Sequence, residues 1–211
     1  MTKEATGTRP REPNKTVSLG RVGPVGPRWV GRRLRRLTTV HLMSIAVPES
    51  LALAAHTVAE LLLTRNQTVA TCESSVGGLL AASLLAVPGA SAYFLGGAVV
   101  YTLPARVLIE GAVPFPEHTR GASEGFVRYE SAAIQARLGA TWGLGETGAS
   151  GPAGNRYGDP AGHAWVGVAG PDGLFATRHV LTGDDDRERN MVAFGVAALE
   201  LLADTIRGAA Q

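Results

Sequence analysis

Lysine is nearly missing from this 211-residue chain: the only two, Lys3 and Lys15, both lie before residue 43. The rest of the chain therefore lacks the one side chain that is cationic in water yet turns into a neutral amine when buried, and this excludes lysine-based nucleophiles and bases there. Cysteine is represented once, by Cys72, which excludes an intrachain disulfide and a cysteine zinc site and fits a reducing, cytoplasmic compartment. Its place in the alternation of a short strand favours a small buried residue over a nucleophile. Aromatic residues make up only 6%, while glycine occurs 27 times, so the core must close around small residues rather than large rings. Charge is missing from Ser74 to Ala105, a run long enough to span a membrane. Pro88, Gly89, Ser91, Gly96 and Gly97 interrupt it, and it reads better as helix, turn and buried strand.

The charge that is present is unevenly spread. Residues 1–42 carry ten basic residues against Glu4 and Glu12, which is +8, and residues 43–211 carry ten arginines against sixteen acids, which is −6. The basic pI of about 9.0 thus belongs to the tail. An acidic body argues against nucleic-acid binding. Pro10, Pro13, Gly20, Gly23, Pro24, Gly26, Pro27 and Gly31 break every candidate element of the tail. Its composition is that of a disordered segment, or of a start placed ahead of Met43. The Arg32-Arg33 and Arg35-Arg36 pairs leave a targeting peptide open, and binding to an acidic partner is a third reading. Residues 43–211 form one domain of ordinary size.

Pro48-Glu49-Ser50 opens an amphipathic helix with Leu51, Ala54, Ala55, Val58 and Leu62 on one face. A short strand follows over Gln67 to Cys72, then a buried helix over Gly78 to Ala86, then a strand over Tyr93 to Thr102 centred on Val99 and Val100. Ser123-Glu124 starts a helix that Gly139 stops after Leu138. Thr141 to Gly145 reads as a third strand and Gly148 to Gly154 as a loop. Ala164 to Ala169 and Phe175 to Leu181 form a hairpin about Pro171-Asp172-Gly173. Asp184-Asp185-Asp186 caps a closing helix to about Ile206. The alternation predicts an α/β fold: a single three-layer α/β/α sandwich with a mixed β-sheet, preceded by the basic tail.

Polar residues collect where the strands are expected to end: Ser74 and Ser75, Tyr101 and Thr102, Glu146 and Thr147. Ends of neighbouring parallel strands converge on one crevice, so these groups can line a single pocket. Gly77, Gly78, Gly148 and Gly151 would offer backbone N–H groups to an anion. Against this stands the common use of serine and threonine as helix caps.

Thr71-Cys72-Glu73-Ser74-Ser75-Val76-Gly77-Gly78 is similar to the T-A-E-S-C-T-G-G of the CinA C-terminal domain family, which includes nicotinamide-nucleotide amidases. Val87 to Thr102 resembles the family's V-P-G-S-S-A-Y-F-L-G-G-V-V-T-Y-S. Arg120-Gly121-Ala122-Ser123-Glu124 resembles H-G-A-V-S-E, Thr147 to Gly154 resembles T-G-I-A-G-P-D-G, and Pro160 to Trp165 resembles P-V-G-T-V-W. Gly183 to Arg187 is a stretched G-D-R. The resemblance implies a three-layer sandwich, often a homodimer, that hydrolyses the amide of nicotinamide mononucleotide without a metal or other cofactor. It implies Ser74 as nucleophile, Tyr101 and Thr147 as partners, and Glu73, Ser75, Gly77, Gly78, Gly148, Gly151 and Arg187 as substrate-binding residues.

The lysine that activates the family's serine is Arg106 here. Arginine stays protonated, with a pKa above about 12, and cannot take the serine's proton. His163, where the family has threonine, and Glu146, where an apolar or small residue is usual, are the candidate bases. A buried Glu146–Arg106 ion pair is the structural alternative. Two functions remain open: an amidohydrolase acting on a pyridine nucleotide or related amide, and a catalytically inactive nucleotide- or anion-binding member of the same fold.

Overall fold

The computed structural model describes residues 47–209. The tail at residues 1–42, and residues 43–46 of the expected domain, lie outside the described residues.

Four helices and five strands alternate in the expected order. Helix α1 spans Glu49–Arg65 and buries Leu51, Ala55, Val58, Ala59 and Leu62 along one stripe. Burying each of its larger side chains contributes about 1.5–3 kcal/mol. Asn66, at φ 53°, ends the helix in the left-handed conformation that asparagine tolerates. Strand β1 (Val69–Glu73) and helix α2 (Leu79–Ala86) follow. Strand β2 is Phe94–Val99, and a 3-10 turn covers Pro104–Leu108. Helix α3 (Glu124–Leu138) starts where Ser123 Oγ accepts the Phe126 N–H and ends at Gly139, φ 63°. Strands β3 (Trp142–Ala149), β4 (His163–Ala169) and β5 (Phe175–Leu181) precede helix α4 (Arg187–Gly208), which Asp186 caps through the Arg189 N–H.

The sheet runs in the order β2-β1-β3-β4-β5. β1 pairs in parallel with β2 and β3, whereas β3–β4 and β4–β5 are antiparallel. Helices α1, α2 and α4 cover one face and α3 the other, which gives the mixed three-layer sandwich. Among the described residues no helix is long and apolar enough to cross a membrane.

Three strand readings are corrected. β2 ends at Val99 and among the described residues has β1 as its only neighbour in the sheet, so it is an edge strand there with alternating exposure, and Val99 is 44% exposed. β3 runs four residues beyond Gly145, because antiparallel β4 keeps pairing with it as far as Ala149 opposite His163. Gly148 and Ala149 are therefore strand, and the loop begins at Ser150.

Gly143-Leu144-Gly145-Glu146-Thr147-Gly148 has the G-x-G-x-x-G spacing of dinucleotide-binding turns, but it lies inside β3 rather than between a strand and a helix. Its first two glycines serve packing. A Cβ on Gly143 would lie 2.0 Å from the Ser131 carbonyl oxygen, and one on Gly145 would lie 3.0 Å from Glu130 Cγ. Helix α3 rests directly on this bare backbone, which explains these two glycines.

Candidate functional site

Two acidic side chains shape the turn between β1 and α2. Glu73 and Glu146 are register partners on β1 and β3, and both are fully buried. Glu73 accepts the N–H groups of Gly78 at 2.8 Å, Leu80 at 3.0 Å and Ala81 at 2.8 Å, with the Thr71 hydroxyl at 3.3 Å. Glu146 accepts the N–H groups of Ser74 at 3.2 Å and Val76 at 2.8 Å, and the Ser75 hydroxyl donates to its other oxygen. Burial raises the pKa of both carboxyls; the hydrogen bonds they accept oppose this, and Glu146 settles at about 7.

This clamp leaves Ser74 half-exposed on a cavity of about 410 Å³. Tyr101, Arg106, Thr147 and Gly148 line the same cavity. A neighbouring cavity of about 280 Å³ shares Tyr101 and Gly148 and adds Ser75, Gly151 and Arg187. Arg187 donates to the Gly151 carbonyl at 2.8 Å and to the Tyr101 hydroxyl at 3.3 Å, joining the two. Thr102 also lines the larger cavity, so nine of the polar and glycine positions singled out in the sequence lie on two adjoining cavities.

Glu73, Gly77, Gly78, Glu146 and His163 line neither. The Gly78 N–H is spent on Glu73. Glu146 does not pair with Arg106: its oxygens hold the turn, and the Arg106 guanidinium lies over the Phe126 ring at 4.6 Å and the Phe115 ring at 5.6 Å. His163 sits behind the cavity wall. Its Nε2 donates to the Ala122 carbonyl at 2.9 Å, and its Nδ1 meets His179 Nε2 at 2.9 Å. Ala122, at φ 53°, in turn donates its N–H to Thr147 Oγ1 at 3.2 Å. Both nitrogens of His163 are thus engaged away from Ser74. Among the described residues no carboxylate, histidine or lysine hydrogen-bonds the Ser74 hydroxyl.

Behind the same wall Glu130 of α3 is fully buried. Cys72 Sγ donates to its Oε2 at 3.9 Å, and its Oε1 has no partner among the described residues. Burial, then the neighbouring Glu146, pushes the pKa of this carboxyl well above the usual carboxylate range. Burial likewise pushes the Cys72 thiol well up, which leaves it un-ionised and a poor nucleophile.

Sequence reasoning missed the far wall of the larger cavity, made by Phe126, Asn155, Arg156 and Tyr157. Arg156 lies over the Tyr157 ring at 4.9 Å and donates to its hydroxyl at 2.7 Å, which lowers the phenol's pKa. Asp159, held near 2 by its hydrogen bonds from Arg120, anchors this loop through Asn155. The available signal was the Asn155-Arg156-Tyr157 run that follows the glycine-rich segment.

Comparison with known proteins agrees with this architecture. The family model "CinA C-terminal domain" matches residues 51–206. A CinA-like protein of Desulfosudis oleivorans is 40% identical over 160 residues, covering 75% of this chain and 38% of that protein. One from Frankia casuarinae is 39% identical over 153 residues, covering 70% and 34%. The chain thus spans little more than a third of the length of these relatives. The crystal structure of competence/damage inducible protein CihA from Agrobacterium tumefaciens superposes with a TM-score of 0.69 at 27% identity, covering 77% of this chain and 99% of that one. A CinA superfamily protein from Klebsiella pneumoniae gives 0.68 at 26% identity, covering 75% and 98%. With its fold, motif order and sequence all in agreement, the chain belongs to the CinA C-terminal domain family.

Proposed function

We propose that the paired cavities bind a pyridine nucleotide or a related anionic small molecule, and that they do so without the serine–lysine amide hydrolysis known from the family. One observation carries this reading. Arg106 stands where the lysine base is expected, and the carboxylate that meets the Ser74 amide, Glu146, spends both oxygens on the amides of Ser74 and Val76 and the hydroxyl of Ser75. A guanidinium cannot accept the serine's proton, and an unactivated serine hydroxyl is a weak nucleophile. Arg187, held at the mouth by the Gly151 carbonyl and the Tyr101 hydroxyl, supplies a fixed charge for a phosphate.

A second reading keeps the hydrolase. It is favoured by Ser74, Tyr101 and Thr147 facing one cavity, the set that the family uses. In that reading Ser74 attacks the amide carbon, and the base is a group that moves in when substrate binds.

The test is binding set against turnover. Nicotinamide mononucleotide is titrated calorimetrically into the full chain, and ammonia is measured on the same samples. Binding that weakens in Arg187→Gln, with no ammonia released, supports the first reading. Release that Ser74→Ala abolishes supports the second.

A further inference from the structure

We propose that the larger cavity holds a carboxylate subsite built by Arg106 and, from the loop opposite, Arg156, so that this chain takes the acid form of its ligand in preference to the amide. The proposal rests on the cavity being the pyridine-nucleotide site described above. It adds which side of the amide–acid pair the pocket selects.

The electrostatics are one-sided. The body of the chain is acidic, yet no aspartate or glutamate lines this cavity. Two arginines do, and among the described residues neither has a carboxylate within ion-pair distance. Arg120, one loop away, shows what an arginine here does when an acid is at hand: it makes a two-pronged contact with Asp159, at 2.5 and 2.9 Å. Arg106 is laid against the Phe126 face, and Arg156 against the Tyr157 face, where it also donates to the phenol oxygen. Stacking orients a guanidinium, and the edge N–H groups that Arg156 does not give to Tyr157 can meet a planar, two-oxygen acceptor. Two guanidinium groups on one cavity with no acid in its lining favour an anion there.

A carboxamide meets this pair poorly. Its oxygen can accept from one arginine, but its NH₂ then points N–H groups at N–H groups. A carboxylate presents an acceptor to each and brings the missing negative charge. The same arginine that deprives Ser74 of a base therefore changes what the cavity binds.

The experiment compares two nucleotides that differ at this one group. Nicotinate mononucleotide and nicotinamide mononucleotide are titrated calorimetrically into the full chain at fixed pH and ionic strength. The acid should bind at least about tenfold more tightly, the factor expected for a two-pronged charge-assisted contact. Arg106→Gln and Arg156→Gln should each bring that ratio several-fold closer to one. Arg156 is exposed, so its replacement leaves folding untouched, and circular dichroism verifies the Arg106 variant. Equal affinities, tighter binding of the amide, or a ratio unchanged in both variants overturns the proposal while leaving the nucleotide site standing. If neither nucleotide binds, the free bases decide. An arginine-dependent preference for nicotinate over nicotinamide keeps the subsite and removes the nucleotide reading, and no such preference removes both.

Discussion

Glu73 and Glu146 are register partners on adjacent strands, and between them they accept the backbone N–H groups of Ser74, Val76, Gly78, Leu80 and Ala81. Two buried acids thus hold the turn that carries the family's serine from both of its ends. Neither is free to act on a ligand.

The two differ in what a glutamine could replace. At Glu146 one oxygen takes both amides and the other faces only a hydroxyl, which can reverse its direction. Glu146→Gln should therefore fold with a loss below about 1 kcal/mol at pH 5, whereas Glu146→Ala strands the Val76 N–H and the Ser75 hydroxyl, the Ser74 N–H keeping the Glu146 backbone carbonyl at 3.0 Å, and should lose about 2 kcal/mol or more. At Glu73 both oxygens face backbone N–H groups, so a glutamine NH₂ must oppose one of them. Glu73→Gln should cost about 2–3 kcal/mol, clearly more than Glu146→Gln. Urea unfolding of the three variants measures this.

The raised Glu146 carboxyl also predicts a pH dependence. The folded chain holds that proton up to about pH 7, while the unfolded chain releases it near its ordinary value of 4.5. This contribution to stability is fully present below pH 4.5 and is lost as pH rises to 7, by an amount of about 3 kcal/mol. Glu130, raised in the same direction by burial, adds to the loss. Unfolding free energies measured from pH 4 to 8 should fall for the wild type, and fall less for Glu146→Gln and for Glu130→Gln.

The bare backbone beneath α3 makes a third prediction. A methyl on Gly143 meets the Ser131 carbonyl at 2.0 Å, so Gly143→Ala should cost at least about 3 kcal/mol or abolish folding. Gly208, at the end of α4, has nothing within 4 Å of the same added atom. Gly208→Ala should be neutral or stabilise by up to about 1 kcal/mol. Thermal melts of the pair separate packing from general glycine loss.

Arg106→Lys puts back a side chain that can be neutral when it lies against Phe126. It should gain measurable ammonia release from nicotinamide mononucleotide, with a rate that rises with pH as the amine loses its proton. A coupled ammonia assay from pH 6 to 9 follows this, and Arg106→Gln should stay silent.

Sequence alone carried the ends of α3 and the hairpin, because Ser123, Gly139 and Pro171-Asp172-Gly173 act through local backbone chemistry. It misjudged β3, where pairing with a strand that comes later in the chain overrides a glycine-rich composition. Its motifs pointed to Ser74, Tyr101, Thr147 and Arg187, all four of which line the adjoining cavities. Arg156 and Tyr157 lie on an irregular loop that only the folded chain brings opposite Arg106. Glu146 stands out in the sequence as an acid beside Thr147 where an apolar or small residue is usual, but the three donors that occupy it come from a turn some seventy residues earlier and are not legible there.

The most direct measurement is ammonia released from nicotinamide mononucleotide by the wild-type chain at protein concentrations matching the nucleotide. The account predicts none above the no-protein control over hours, with the nucleotide recovered intact. Stoichiometric release that disappears in Ser74→Ala would contradict it.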